Sequence, residues 1–252
     1  MSTAPRPRLP DDLPHVWRAP ELAHAHEEVT ESGHAALDAQ LPGGGWPVGS
    51  LVEILQDQAG AHAWQLLLPA LTRMAARESG PVVLVNPPFE PFGPGLHAQG
   101  LRIERMLRVR AARPQACLWA TEQALRSQDV AAVLAWLPQA KGAELRRLHL
   151  AASQHHRLLF VFRAMAALRD SSPARLRLQV EGGGALRVRI VKRRGPPLEH
   201  SIELPAHPQR LAALLQARQG KASVPLPSPT PTPTPTLPKD RSHVLDRTVA
   251  IA

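Results

Sequence analysis

The sequence predicts an α/β fold in which a mostly parallel sheet is flanked by helices and followed by an antiparallel β-hairpin. Short apolar runs alternate with helix-forming segments between residues 51 and 162. This is the pattern of parallel strands joined by crossover helices. From residue 175 the pattern changes to a strict alternation of apolar and basic residues on both sides of a glycine-rich turn. That alternation is typical of a hairpin.

Five apolar runs predict the strands of the parallel sheet, because each is short and bounded by glycine, proline or polar residues. The predicted strands are Leu51–Leu55, Pro81–Asn86, Met106–Arg110, Val130–Trp136 and Leu158–Phe162. The helices predicted between them are His62–Arg77, Gly95–Arg105, Pro114–Arg126 and Gly142–His156. Pro69 lies inside the first of these helices and is expected to kink or restart it.

The main domain is predicted to span residues 41–218. Residues 1–40 are expected to form an N-terminal extension that is helical in part, up to Ser32 and Gly33. A strand at His200–Leu204 and a helix at Pro208–Arg218 are expected to close the domain.

Residues 219–252 form the last predicted region, a linker followed by a terminal peptide. The linker holds a proline–threonine repeat, which favours an extended spacer that packs no core. Apolar residues follow the repeat, and we predict from them that the terminal peptide binds a partner. These residues are Val244, Leu245, Val249 and Ile251.

Composition excludes several classes of protein. The chain has 252 residues, of which 44% are hydrophobic, enough for one full-sized domain with a core. No apolar run reaches the roughly 18 residues of a membrane span, and the first residues lack a signal-peptide pattern. We therefore expect a cytoplasmic protein that does not associate with membranes. Cys117 is the single cysteine, so an internal disulfide and a thiolate zinc finger are both excluded.

The charge is strongly positive and is carried by arginine. The formal net charge is +9, and only four of the 30 basic residues are lysine. Arginine binds phosphate and carboxylate groups through paired hydrogen bonds, so DNA or an acidic protein is an expected partner. A genome biased toward arginine codons is the alternative explanation, and the placement of the arginines must decide.

The hairpin predicted at residues 175–190 is the strongest positive signal for binding. Period-two geometry places its apolar residues on one face and its arginines on the other. The candidate DNA-binding residues are Arg175, Arg177, Arg187, Arg189, Lys192, Arg193 and Arg194. Because like charges on paired strands are destabilising, the arginine face is expected to meet a counter-charge. DNA, an acidic protein surface and a solvated face are the three interpretations.

The segment after the first predicted strand has the position of a phosphate-binding loop but not its chemistry. Such a loop needs several glycines, a lysine for the phosphates and a serine or threonine for magnesium. This segment keeps one glycine and has no lysine or hydroxyl side chain. The residues of this vestigial loop are Gln56, Asp57, Gly60, His62 and Ala63. We predict no cofactor, no metal and no catalytic residue.

Other candidate catalytic groups have simpler interpretations. Glu90 is expected to be a surface carboxylate, and Cys117 a buried structural thiol. His155 is expected near a helix C-terminus, where the helix dipole favours histidine. His34 and the two histidines that precede it are not spaced as a metal site.

A glycine-rich motif, LPGGGWPVGSLVEI, precedes the vestigial loop. Together with WQLLLPAL after the loop, it resembles the ImuA family of translesion-synthesis accessory proteins and, more distantly, the RecA core. The likeness to ImuA continues through VWRAPEL, SGHAALDAQLPGGGWP, PVVLVNPPFEPFGPGL and LRVRIVKRRG, and covers about residues 16–204. On the RecA resemblance, the phosphate-loop lysine falls at His62 and its serine or threonine at Ala63.

The resemblance implies a degenerate RecA-like domain that acts in the response to DNA damage. Its implied partners are ImuB, a degenerate Y-family polymerase homologue, and an error-prone DnaE-type polymerase, with RecA as a further partner. Together with the vestigial loop and the hairpin, this predicts a non-catalytic accessory factor that binds DNA and polymerase-complex partners. Two alternatives stay open: a DNA-stimulated ATPase with an unconventional loop, and a regulator of the cell-division-inhibitor type.

Overall fold

The computed structural model of the protein describes residues 28–60, 62–77, 80–182 and 185–205. The chain divides into two units, Met1–Ala212 and Ala213–Ala252. The helix predicted at Pro208–Arg218, the proline–threonine spacer and the terminal peptide lie outside the described residues. Among the helices that are described, none has the length and apolar character needed to cross a membrane.

The described residues form ten strands, eight of them in one sheet. The strands are β1 Val29–Thr30, β2 Trp46–Pro47, β3 Ser50–Gln56, β4 Val82–Val85, β5 Met106–Val109, β6 Ala132–Trp136, β7 Leu158–Ala164, β8 Leu176–Gly182, β9 Leu186–Lys192 and β10 Ile202–Leu204. The large sheet has the order β10-β9-β8-β3-β7-β6-β4-β5. All pairs from β8 to β5 are parallel, whereas β8–β9 and β9–β10 are antiparallel. The predicted α/β class with a C-terminal hairpin is confirmed.

Helices cover both faces of this sheet. They are α1 Ala35–Asp38, α2 Ala63–Arg77, α3 Gly93–Ala98, α4 Pro114–Arg126 and α5 Gly142–Gln154. Short 3-10 turns occur at Pro42–Gly44, Ile103–Arg105 and Met165–Arg169. Leu67 and Leu71 of α2 pack in one core cluster with Phe160 of the sheet. Leu145 and Leu148 of α5 pack in a second cluster on the opposite face.

The helix predicted at Gly95–Arg105 is divided in two. α3 ends at Ala98, and the 3-10 turn at Ile103–Arg105 follows. Gly100 lies between them with φ +96, a left-handed conformation that ends a right-handed helix at little cost only for glycine.

The prediction of a helical N-terminal extension is wrong for residues 29–30. Val29 and Thr30 form a strand that pairs with β2, because β-branched residues favour extended backbone. The pairing is close: a Cβ on Gly45 would lie 2.5 Å from the Thr30 carbonyl oxygen. Leu37 of α1 is completely buried in the same core cluster as the sheet, so residues 28–40 pack with the domain.

Helix α2 runs through Pro69 without a restart. A proline inside a helix removes one N–H and leaves the carbonyl four residues earlier, here that of Gln65, without its usual donor. The ring of His34 lies beside this turn of α2, and its Nε2 is 3.2 Å from the carbonyl oxygen of the next residue, Leu66. Burial lowers the pKa of His34, and the neighbouring Leu66 and Gln65 carbonyls act in the opposite direction. His34 therefore supports the proline-containing helix.

His149 of α5 is hydrogen-bonded to the beginning of β3. Its Nδ1 accepts a hydrogen bond of 3.1 Å from the backbone N–H of Leu51, which requires an unprotonated Nδ1. Burial lowers the pKa of His149, and the charges of Arg175 and Lys192 lower it further.

We expect His149 to make the free energy of unfolding depend on pH. Its pKa is lower in the folded protein than the ordinary value of 6.5, so the unfolded chain binds a proton first as the pH falls. Stability is therefore complete above about pH 6.5 and is lost as the pH falls toward the folded pKa. His149→Asn keeps an acceptor without a titrating ring and should give a smaller loss between about pH 6.5 and 5 in urea denaturation.

His200→Asn, which changes an exposed histidine, is the matched control. Equal pH dependence of the His149 variant and the unaltered protein would contradict the assignment.

Candidate functional site

The vestigial loop after β3 is closed by neighbouring side chains. Gly60 has φ +78, and a Cβ at this position would lie 2.6 Å from Cγ of Pro88. On the other side, the ring of His62 lies against Gly182 at the end of β8, where a Cβ would be 1.7 Å from the ring Cε1. The space beside the loop is thus occupied by a proline and an imidazole.

Three other side chains of the loop are either buried or negatively charged. Ala63 begins α2 and is 1% exposed, so the position of the magnesium-binding hydroxyl holds a buried methyl group. Gln56 is the last residue of β3, and its side chain is buried. Asp57 is exposed and adds negative charge where phosphates would need positive charge.

Arg177 is not part of a binding face, contrary to the prediction. Its side chain is buried, and Nε donates to Glu53 Oε2 at 2.7 Å. Nη2 donates to the carbonyl oxygen of Ala167 at 2.8 Å. Arg163 of β7 binds the other oxygen of the same carboxylate at 2.9 Å. Glu53 is fully buried, so this Glu53 network is an internal ion cluster that joins β7, β3 and β8.

The predicted arginine face of the hairpin is in fact mixed in charge. The strand register places Arg189 opposite Gln179, and Arg187 opposite Glu181. On its other side Arg187 faces Glu203, with 3.4 Å between Nη2 and Oε1. The expected repulsion between paired arginines is absent at these positions, because acidic and amide side chains separate the cations.

The other candidate DNA-binding residues of the hairpin are either exposed or half-buried. Arg175, Arg189 and Lys192 are exposed, although Nζ of Lys192 donates to the carbonyl oxygen of Ser172 at 3.0 Å. Arg193 is half-buried, and its Nε donates to the carbonyl oxygen of Pro196 at 2.8 Å. Arg194 is also half-buried. The terminal-peptide residues Val244, Leu245, Val249 and Ile251 lie outside the described residues.

Three other sequence-based interpretations are confirmed. Cys117 is buried, its Sγ contacts the Ala111 carbonyl oxygen at 3.4 Å, and burial raises its thiol pKa, which disfavours the reactive thiolate. Glu90 is an exposed carboxylate paired with Arg108 at 3.0 Å. His155 follows the last residue of α5 as its C-cap.

A cleft of about 610 Å³ opens at the carboxyl ends of β4 and β6. The starts of α4 and α5 border it, and Asn86, which follows β4, also lines it. The polar lining residues are Asn86, Arg113, Gln115, Gln139, Lys141 and Glu144, and the apolar ones include Cys117, Leu118 and Leu137. The sequence patterns did not predict this cleft, although basic residues directly before two predicted helices were a visible signal.

Two aromatic rings project from the loop that follows β4. Phe89 is 70% exposed and Phe92 is 73% exposed. The Glu90–Arg108 pair holds this loop beside the edge strand β5. Phe92 also packs on Gly95, where a Cβ would lie 2.9 Å from its ring. The ring of Phe89 lies by the vestigial loop, since a Cβ on Gly60 would be 3.4 Å from its Cδ2. Neither ring lines the cleft, which the same loop reaches through Asn86.

Known proteins resemble the part of the chain that forms this sheet. A family model described as cell division inhibitor SulA matches residues 49–158. Protein ImuA of Caulobacter vibrioides strain NA1000 is 34% identical over 130 residues, which are 49% of this chain and 52% of that protein. Over this segment the chain is similar to ImuA. The predicted resemblance to the ImuA family is confirmed, and the match spans about half the length of that relative.

Two division inhibitors are similar as well. The cell division inhibitor SulA of Edwardsiella piscicida is 36% identical over 87 residues, which are 34% of this chain and 52% of that protein. The SulA of Yersinia pseudotuberculosis serotype O:1b is 27% identical over 146 residues, which are 58% of this chain and 83% of that protein. This chain is therefore similar to ImuA and to SulA proteins.

We expect Glu53→Gln to destabilise the protein by about 3–5 kcal/mol, because it removes the carboxylate charge and leaves two buried guanidinium groups without their common partner. Glu203→Gln removes an exposed partner of Arg187 and should cost less than about 1 kcal/mol. Urea denaturation measures both. A Glu53 variant as stable as the Glu203 variant would show that the buried cluster does not hold the strands together.

Proposed function

We propose that this chain is a non-catalytic accessory factor of mutagenic DNA synthesis after DNA damage. It works with an ImuB-type polymerase homologue and an error-prone DnaE-type polymerase, with RecA as a further partner. The observation that carries the proposal is a closed vestigial loop in a chain related to ImuA. The related segment covers only part of both proteins, and residues of this chain itself give further support.

The absence of catalysis is supported by what surrounds the loop. ATP binding requires backbone N–H groups open to the phosphates and a cation to balance their charge. Here Pro88 lies against Gly60, and His62 stands at the lysine position with its ring on Gly182. The proposed factor therefore does not bind ATP at this loop, and we propose that it works without a cofactor.

A RecA-like scaffold is the fold we propose for this domain. In support, the strand that leads into the vestigial loop, β3, lies inside the sheet between β7 and β8. α2 follows the loop directly and buries its apolar side on the sheet. This is the strand–loop–helix arrangement from which phosphate-binding loops are built.

A division-inhibitor role is the second candidate, because one observation favours it. The SulA family model matches residues 49–158, which include β3 to β6 and four of the described helices. Such a regulator would bind a component of the division machinery and would have no effect on mutagenesis.

Deleting the gene separates the two candidates. We expect the damage-induced mutation frequency to fall, because the polymerase complex lacks its accessory factor, while cell length after damage stays unchanged. Restoring the full-length gene provides the control. An unchanged mutation frequency with altered cell length would instead identify a division inhibitor.

Duplex DNA binding by the hairpin is a further part of the proposal. Arg187→Ala/Arg189→Ala should weaken binding and lower the slope of log affinity against log salt by about 0.9 for each phosphate that is no longer neutralised. Arg146→Ala/Arg169→Ala removes two exposed cations elsewhere and is the matched control. Fluorescence anisotropy with a labelled duplex measures both. Equal affinity and slope for the two variants would mean that Glu181 and Glu203 already satisfy the hairpin arginines.

A further inference from the structure

The cleft between α4 and α5 lies where ligands commonly bind in α/β sheets. β4 and β6 are parallel neighbours, yet the segments that follow them pack on opposite faces. Leu96 of α3 belongs to the core cluster on one face, and Leu145 of α5 to the cluster on the other. Where successive connections diverge in this way, a crevice opens outside the carboxyl ends of the strands. Its volume of about 610 Å³ falls within the usual range of ligand sites.

The charges at this cleft are the reverse of what helix stability favours. Arg113 is the N-cap of α4 and Lys141 is the N-cap of α5, positions that prefer Ser, Thr, Asp or Asn. A cation beside a helix N-terminus is also unfavourable for the helix dipole. Neither side chain forms an ion pair with a described residue. The carboxylate that lines the cleft, Glu144, accepts the Lys141 backbone N–H at 2.7 Å.

Two positive side chains and two helix N-termini therefore face one opening whose own carboxylate is bound to backbone. Such departures from local preference are expected at functional sites. The chemistry that would satisfy them is a phosphate or carboxylate group.

The exposed rings of Phe89 and Phe92 belong to the same edge of the sheet. Asn86 lines the cleft, and Phe89 follows it by three residues. Prolines on both sides of each ring restrict the loop backbone, so little conformational entropy is lost when a ligand stacks on the rings. Arg108, bound to Glu90, adds a further cation beside them.

We infer that this edge binds single-stranded nucleic acid, with bases stacked on Phe89 and Phe92 and backbone phosphates held in the cleft by Arg113 and Lys141. Aromatic rings combined with a cationic groove bind single strands without sequence readout, and here Asn86 connects the loop that carries the rings to the cleft. An acidic protein partner would also pair with these cations, but only a nucleic-acid strand presents a phosphate and a flat base in every unit of the chain. This inference deepens the proposed function, because an accessory factor of DNA synthesis would meet single strands at damaged templates.

The test measures binding of the full chain to a fluorescein-labelled oligothymidine of about 20 nucleotides, by fluorescence anisotropy. Phe89→Ala/Phe92→Ala should weaken binding by about tenfold or more, because base stacking is removed. Arg113→Ala/Lys141→Ala should weaken it too, and should lower the salt slope by about 0.7 for each phosphate that these cations neutralise. All four side chains lie on the surface, and thermal melting verifies that the variants are folded.

Matched controls remove similar groups elsewhere. Trp119→Ala deletes an aromatic ring that is 62% exposed on α4 and does not line the cleft. Arg146→Ala/Arg169→Ala deletes two exposed cations outside it. Both controls should stay within about twofold of the unaltered protein.

The inference is overturned if the unaltered chain does not bind, if either test variant keeps full affinity, or if the controls lose affinity equally. Full single-strand affinity together with lost capture of a purified polymerase-complex protein by Phe89→Ala/Phe92→Ala would assign the rings to a protein interface. That result also overturns it. In each case the proposed function is decided separately, because the mutation frequency of the deletion strain does not depend on this site.

Discussion

The buried carboxylate of Glu53 is the constraint on which the arrangement of this sheet depends. Its two oxygens bind Arg163 and Arg177, which belong to the strands on either side of β3. A fully buried charge is tolerated only when its partners are in place, so the three strands can pair in one register. A slip of one residue would turn Glu53 toward the apolar face that holds Val52 and Ile54.

That register determines which residues lie together at the carboxyl edge of the sheet. It brings the end of β8 beside the vestigial loop, where His62 covers Gly182, while Pro88 closes the opposite side at Gly60. Farther along the edge, β4 and β6 end without such closure, and the cleft opens there. The edge thus has a closed half at the position of a phosphate-binding loop and an open half lined by cations. This division agrees with the proposed accessory role, in which a ligand is bound and no reaction is carried out on it.

The sequence predicted the fold well, because its main signals are local. Apolar runs of strand length and helix-forming segments determined most of the elements between residues 51 and 192, and the helix at Pro114–Arg126 has its predicted bounds. The role of Arg177 could not be predicted, because alternation shows which face a residue occupies but not what covers that face. The partner of Arg177 is 124 residues away in the chain. The mixed charge of the hairpin likewise depends on β10 and on a register that the turn alone does not define.

The cleft was missed for a related reason. Arg113 and Lys141 each precede a helix. They line the same cleft only because β6 pairs with β4, while β5 lies at the edge of the sheet. The arginines can also be grouped by the partners that the structure gives them. Arg163 and Arg177 stabilise the interior, Arg126 and Arg147 both bind Glu122, and Arg73 pairs with Glu31. Codon bias or a general affinity for nucleic acid would distribute the cations without regard to such partners. The two cations left without a described acidic partner at one cleft are therefore more informative about function than the net charge.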